Sequence, residues 1–188
     1  MFKFVAVLCC CLPLMVKAQI FAPIATDRLG VTMNIVMLSP PPESKTALLV
    51  IPGTDGAEGR IILRGSLAPE RGAMQYLYAN ADLFEKANIT LVATGCPTDE
   101  WKSYGMCMDA YRKSDTYARD FSKIIQFLKE TFQFEKFYVF GHSSGGISTR
   151  WLSVKIPSQL SGIINSSIMN GTAGSLANST LGFDMSKI

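Results

Sequence analysis

The sequence contains a single histidine, His142, among its 188 residues. One histidine cannot build a histidine-rich metal site, and any chemistry that needs an imidazole has only this side chain within the sequence. Basic residues are also few, because 18 Lys and Arg stand against 15 Asp and Glu, and no basic run occurs. The net charge of +3 is no electrostatic footprint for nucleic acid, so we expect no nucleic-acid partner.

Charged residues make up only 18% of the chain, whereas hydrophobic residues reach 48%. A chain with so little charge and so many apolar side chains is not intrinsically disordered. Its length suggests one domain with its own hydrophobic core.

Residues 1–18 have the pattern of a secretory signal peptide. A short positive region precedes the apolar residues 4–16, and Ala18 offers a small residue for cleavage. The apolar run is too short to span a bilayer comfortably, although an uncleaved membrane anchor is the alternative. We therefore expect a secreted or periplasmic protein, not bound to a membrane after cleavage, whose folded domain comprises residues 19–188.

Only two of the five cysteines, Cys96 and Cys107, lie outside that leader. An even pair in an oxidising compartment predicts a disulfide bond. Two independent thiols are the alternative, because sequence alone does not establish connectivity. The spacing is not a metal-binding pattern, so we expect no metal.

Short apolar runs alternate with helical patterns along the chain. Strands are predicted at 31–38, 46–52, 89–95, 137–140 and 160–168, and helices at 73–87, 114–132 and 147–155. The helix capped by Ser114 has the clearest pattern, with apolar residues recurring at helical spacing. Residues 96–113 are predicted to be irregular. Strands that alternate with helices build a mostly parallel, doubly wound sheet with helices on both faces.

The stretch GHSSG at 141–145 stands between a predicted strand and a predicted helix. This is the context that a G-x-S-x-G nucleophile turn requires. Side chains two positions before and after the serine would collide across the turn, which accounts for both glycines. In the frame shifted to Ser144, His142 would replace the first glycine. Ser143 is therefore the predicted nucleophile, held in a strained backbone conformation.

A serine nucleophile also needs N–H donors for the negative charge that develops on the substrate oxygen. The backbone N–H of Ser144 is one predicted donor, at the start of the following helix. The glycine-rich loop at 53–59 could bring a second, and we nominate the N–H of Thr54. A flexible turn without a role in binding is the alternative for this loop. It lacks the G-K-[ST] sequence of a phosphate cradle.

These pieces together resemble the α/β-hydrolase fold. The matching segments are VIPGTDG, ITLVATG, FYVFGHSSGG and GIINSSI, and the resemblance covers the chain from about Val31 to its C-terminus. It implies a three-layer sheet and hydrolysis of an ester, amide or related acyl bond through an acyl-enzyme on Ser143. The implied substrate is a small-molecule or peptide acyl compound, and no cofactor is expected.

The family orders its catalytic triad as serine, acid and histidine, but no histidine follows His142. Adjacent side chains on a strand point to opposite faces, so His142 is expected to face away from the Ser143 hydroxyl. Asp184 precedes the strand after which the acid would appear, which makes it a poor triad acid. We expect a partial hydrolase domain without its C-terminal third, inactive as given. The alternatives are a non-catalytic binding protein of this fold and a half-enzyme completed by another chain.

Four segments match the acceptor pattern for N-glycosylation, and they begin at Asn88, Asn165, Asn170 and Asn178. The pattern has meaning only in a eukaryotic secretory pathway. The first two segments coincide with predicted strands, which argues against their use.

Overall fold

A computed structural model of the chain describes residues 19–38, 43–51, 53, 77, 80–100 and 107–166. The predicted signal peptide, the Thr54 donor and the residues after 166 lie outside this part. The strands are β1 (Gln19–Ala25), β2 (Thr32–Leu38), β3 (Thr46–Ile51), β4 (Ile89–Pro97), β5 (Lys136–His142) and β6 (Gly162–Ser166). The helices are α1 (Ala81–Lys86), α2 (Asp109–Arg112), α3 (Asp115–Phe132) and α4 (Ser144–Lys155), and a 3₁₀ turn follows at Pro157–Gln159.

The six strands form one mixed sheet in the order β1-β2-β4-β3-β5-β6. Strands β4, β3, β5 and β6 are parallel, whereas β2 pairs antiparallel with both β1 and β4. The predicted mostly parallel, doubly wound sheet is therefore confirmed. The carboxyl ends of the four parallel strands meet at one edge, which is where ligands bind in such sheets.

Two apolar clusters cover the two faces of this sheet. Alternate residues of β3 enter different clusters: Ala47, Leu49 and Ile51 pack with α2, α3 and α4, whereas Leu48 and Val50 pack with α1. This period of two is the signature of a strand buried on both sides. The three predicted layers are thus a helical layer, the sheet and a second helical layer.

Strand β1 was not predicted from the sequence. Its inward side chains are Ile20, Ala22 and Ile24, and the residues between them, which include Pro23, are exposed. A proline within an apolar run argues against a central strand, but it is tolerated at a sheet edge. Pairing with β2 over its full length makes this segment a strand.

The helix predicted after Ser114 is confirmed as α3. The Ser114 hydroxyl accepts a hydrogen bond from the N–H of Tyr117 at 3.0 Å, which caps the first turn. The apolar stripe includes Phe121, Ile124 and Leu128, all fully buried. Within the described residues, no helix is both long and apolar enough to cross a membrane.

Some predicted boundaries were wrong. Helix α4 begins at Ser144 rather than at 147, because Gly145 and Gly146 continue the helix despite their low intrinsic propensity. The last strand begins at Gly162 rather than at 160, and the predicted residues 167–168 lie outside the described part of the chain. The segment predicted to be irregular contains one helical turn, α2.

Candidate active site

Ser143 lies at the abrupt junction between β5 and α4. Its backbone has φ of 53° and ψ of −120°, a combination that residues with a side chain rarely adopt. Such strain persists only where the surrounding structure enforces it, and it concentrates at functional sites. The side chain is half-buried at the carboxyl edge of the sheet.

The two glycines of the turn are required by close backbone approach. A Cβ atom on Gly141 would lie 2.6 Å from the carbonyl carbon of Gly145 and 2.6 Å from Cγ2 of Thr149. The collision expected from the sequence is therefore present in the structure, and a helix residue adds to it. Any side chain at position 141 would push α4 away from β5 and change the conformation of Ser143.

Strand β6 and helix α4 hold the turn from both sides. The Ser143 N–H donates to the carbonyl oxygen of Ser166 at 3.1 Å, and the Gly146 N–H donates to the carbonyl oxygen of Ser143 at 3.0 Å. The Thr149 hydroxyl lies within hydrogen-bond reach of the Gly146 carbonyl and of the Asn165 side-chain oxygen. This network links α4 to β6 next to the strained serine.

Gly53, just after β3, lies directly against the turn. A Cβ atom on Gly53 would lie 2.9 Å from the His142 carbonyl oxygen and 2.9 Å from Cβ of Ser143. The nominated donor Thr54 lies outside the described residues, but the preceding residue is in contact with the serine. Ser144 opens α4, so its N–H belongs to the first turn, where N–H groups point out of the helix start.

His142 is engaged away from the serine. Its Nδ1 atom lies 3.4 Å from the Ser166 hydroxyl, which is a long contact. In the described part of the chain, the Ser143 hydroxyl forms no hydrogen bond, with His142 or with any other residue. The structure thus places the single histidine beside β6, and its present geometry does not activate Ser143.

The predicted disulfide joins Cys96, near the end of β4, to Cys107, just before α2. The two Cα atoms are 5.4 Å apart, within the normal range for a disulfide. The bond closes a short loop at the same sheet edge as Ser143. Within the described ranges, no cluster of three or more His, Cys, Asp or Glu side chains could hold a metal ion.

A charged cluster near this disulfide was missed by sequence reasoning. Arg28, in the β1–β2 turn, forms ion pairs with Asp99 and, at 2.5 Å, with the buried Asp120 of α3. The Tyr111 hydroxyl donates to the same Asp120 carboxylate at 2.7 Å. Burial first, and then this bond to Asp120, raise the pKa of Tyr111 well above its ordinary value. Arg28 is 71 positions from Asp99 and 92 positions from Asp120 in the sequence, and no local sequence pattern joins residues so far apart.

Helix α4 also contacts the segment that leads into α3. Trp151 donates its indole N–H to the Ser114 carbonyl at 2.9 Å, and Lys155 pairs with Asp115 at 2.8 Å. The Arg112 guanidinium, which is buried, lies 3.5 Å from the Ser148 hydroxyl. The helix that follows the serine is therefore bound to the segment that follows the disulfide.

A strained serine between a central parallel strand and a helix, with glycines at both crowded positions, is typical of the nucleophile turn of the α/β-hydrolase fold. A family model described as "Alpha/beta hydrolase of unknown function (DUF915)" matches residues 106–155, which include the whole serine turn. The structure is also similar to a highly thermostable carboxyl esterase from Bacillus coagulans, with a TM-score of 0.52 and 16% identity, over 79% of this chain and 44% of that one. The chain has the α/β-hydrolase fold.

Two further solved structures share this hydrolase fold. Est1E from Butyrivibrio proteoclasticus, with ferulic acid bound, has a TM-score of 0.52 and 13% identity over 76% of this chain and 50% of that one. A cold-adapted esterase from an Arctic intertidal metagenomic library has a TM-score of 0.51 and 14% identity over 78% and 59%. No curated protein sequence matches the chain. The chain thus spans between 44% and 59% of the length of these three proteins.

Proposed function

We propose that the protein is a secreted serine hydrolase that acts on an ester, amide or related acyl bond, with Ser143 as its nucleophile. The observation that carries the proposal is the strained backbone of Ser143, at φ of 53° and ψ of −120°. An ordinary strand-to-helix connection has no need of a side-chain-bearing residue in this conformation. The esterases that share the fold support the same reaction class.

In the proposed reaction, the Ser143 hydroxyl oxygen attacks the acyl carbonyl carbon and loses its proton to a general base. The carbonyl oxygen becomes an oxyanion, which accepts hydrogen bonds from the Ser144 N–H and from the loop after Gly53, where Thr54 is the nominated donor. The alcohol or amine leaves and the acyl group stays on Ser143. Water then releases the acid and restores the serine.

The general base of this reaction is proposed to come from outside these 188 residues. The single histidine contacts Ser166 rather than Ser143, and the described residues show no other imidazole near the turn. A longer form of the protein or a partner chain would supply the acid and the histidine. The 188 residues alone are then expected to show near-zero turnover. Oxyanion stabilisation and substrate binding would leave only a residual acceleration of roughly 10³–10⁴-fold over the reaction in water.

Labelling by an organophosphonate ester tests the nucleophile directly, because the reagent forms a bond from phosphorus to the serine oxygen and expels its leaving group. We expect slow labelling of the 188-residue chain at Ser143, located by peptide mass spectrometry, and none in Ser143→Ala. Imidazole added to the buffer is expected to increase the rate, since it can replace a missing base. The variant Ser144→Ala should still be labelled, because the role of residue 144 is carried by its backbone.

The variant His142→Gln separates two explanations of any residual reactivity. If His142 only contacts β6, its labelling rate should match that of the wild-type chain. A rate that falls as far as in Ser143→Ala would make His142 the base and would contradict the proposed external base.

The position of the single histidine also favours a second candidate, a non-catalytic binding protein on this fold. If the protein is such a binding protein, Ser143 should not be labelled in the folded chain, even with imidazole or an added partner. If the protein is a half-enzyme, labelling of Ser143 should become rapid only when a second chain supplies the acid and the histidine.

A further inference from the structure

The acceptor pattern at Asn88 begins in a turn and continues into β4, so it overlaps a strand as the sequence predicted, but the asparagine itself lies before that strand. Asn88 connects α1 to β4, and its side chain is exposed. Its φ of 55° is left-handed, a conformation that asparagine adopts more readily than most other residues. The Asn88 N–H donates to the Glu85 carbonyl at 2.9 Å, so a tight turn presents the side-chain amide to solvent.

This turn lies at the amino ends of the parallel strands, whereas Ser143 lies at their carboxyl ends. Thr46, the first residue of β3, pairs with Ile89 on one side and with Lys136 on the other. Asn88 is therefore level with the start of β5, whereas Ser143 follows the end of β5. The seven residues of β5 separate the two positions by about 23 Å, so a large group on Asn88 would leave the serine accessible.

The third residue of the acceptor pattern is buried in the folded protein. Thr90 is only 1% exposed, and its hydroxyl lies 2.9 Å from the Ser44 hydroxyl. Ser44 in turn donates to the Asn88 carbonyl at 2.9 Å. Once β4 has joined the sheet, the threonine hydroxyl that belongs to the acceptor pattern is inaccessible, although the asparagine amide stays exposed.

We propose that Asn88 is an N-glycosylation site, modified before β4 pairs into the sheet. In the transfer, a bond forms between the side-chain nitrogen of Asn88 and the anomeric carbon of an oligosaccharide carried on a lipid diphosphate. The anomeric carbon–oxygen bond to the diphosphate breaks, the lipid diphosphate leaves with the electron pair, and the nitrogen loses one proton. The proposal rests on the proposed secretion and is independent of the chemistry of Ser143.

The acceptor pattern at Asn165 has a different environment. Its side-chain oxygen accepts a hydrogen bond from Thr149, and its neighbour Ser166 contacts His142. A glycan there would adjoin the serine turn, at the edge where an acyl substrate must enter. The patterns at Asn170 and Asn178 lie outside the described residues.

Secretion from cultured eukaryotic cells tests the site. The full chain is placed behind an established secretory leader, so that its entry does not depend on residues 1–18. Release of the glycan by a peptide N-glycosidase in heavy-oxygen water marks each used asparagine by mass. We expect the mark at Asn88. Removal of the added leader by the cell shows that the chain has entered the secretory pathway. If Asn88 is unmodified in such a chain, the proposal is overturned.

Two variants give a matched control. Asn88→Asp tolerates the same left-handed backbone but lacks the amide, so the mass of one glycan should be lost. Thr90→Ser retains the hydroxyl and should keep that glycan. Persistence of the full glycan mass in Asn88→Asp would show that another residue carries it. Organophosphonate labelling of Ser143 should be the same for the secreted wild-type chain and for Asn88→Asp, so failure of one proposal is distinguishable from failure of the other.

The timing of modification is tested with chain produced in bacteria, which is incubated with an oligosaccharyltransferase and a lipid-diphosphate-linked oligosaccharide. The reduced, unfolded chain should accept the glycan at Asn88, and the folded chain should accept less than a tenth as much. Equal modification of the two forms would contradict the role assigned to the burial of Thr90.

Discussion

A Cβ atom on Gly53 would lie 2.9 Å from Cβ of Ser143. Gly53, just after β3, and the turn that follows β5 are thus in direct contact, although Gly53 and Ser143 are 90 positions apart in the sequence. Contact at this distance leaves room for a backbone but not for a methyl group. Position 53 therefore controls how closely the proposed oxyanion loop approaches the serine.

The substitution Gly53→Ala is expected to slow labelling of Ser143 by an organophosphonate at least tenfold. The added methyl group must displace either the loop or the turn, and overpacking of this kind also destabilises a fold by about 1–3 kcal/mol. Labelling rates measured well below the melting temperature separate the two effects. An unchanged rate in a folded variant would show that the loop is not part of the reactive site.

The substitution Gly141→Ala is expected to destabilise the protein more strongly, by about 3 kcal/mol or more, because backbone and Thr149 both occupy the space that the methyl group needs. Gly30→Ala is the matched control. Gly30 has φ of +72° but open space around its Cβ position, so only backbone strain of about 1 kcal/mol is expected. Urea unfolding of both variants measures the difference, and equal losses would contradict the steric explanation.

Loss of the Cys96–Cys107 disulfide, in Cys96→Ser/Cys107→Ser, is expected to lower the free energy of unfolding by about 3 kcal/mol. The closed loop has a sequence separation of 11, and opening it releases chain entropy in the unfolded state. Thiol titration of the unfolded wild-type chain without reductant should find neither cysteine free. Two reactive thiols at these positions would show that the bond does not form in solution.

The ion pair between Asp115 and Lys155 is expected to make stability depend on pH in the acid range. The hydrogen bond from Lys155 is the main cause that lowers the pKa of Asp115, and the positive charge of Lys155 is the second. A lowered pKa means that this contribution is present above the ordinary carboxyl pKa, near 4, and is lost as the pH falls through the lowered value. Melting temperatures of Asp115→Asn should decline less below pH 4 than those of the wild-type chain.

The variant Lys155→Gln provides the control for this pair. Its pH dependence should resemble that of Asp115→Asn, and the double variant should add no further change. Because both side chains are substantially exposed, added salt should reduce the difference between the wild-type and variant chains.

Local patterns in the sequence were sufficient for most elements of the core. The apolar runs of β3 and β4 and the capped stripe of α3 each appear within one segment, because burial and capping act over a few residues. Strand β1 was missed because Pro23 lies within it, and only its edge position makes the proline acceptable. Helix α2 is a single turn and leaves no periodic pattern to detect.

The charged cluster at Arg28 shows why other contacts could not be predicted. Its partners Asp99 and Asp120 lie on different elements, and the sequence contains many such charges that face solvent instead. Register decides the choice, since the β1–β2 turn comes next to the end of β4 only through the pairing of β2 with β4. Such a pairing depends on the whole sheet rather than on any one segment.

By itself, the sequence determined that residues 141–145 form a strained strand-to-helix turn, because two glycines around a serine relieve a steric conflict that is local to the backbone. It also determined that only one histidine is present. The tertiary structure alone decided that this histidine contacts Ser166, that Gly53 lies against Ser143, and that Thr90 is buried while Asn88 is exposed. These relationships join segments distant in the chain, and they exist only after the parallel strands have aligned.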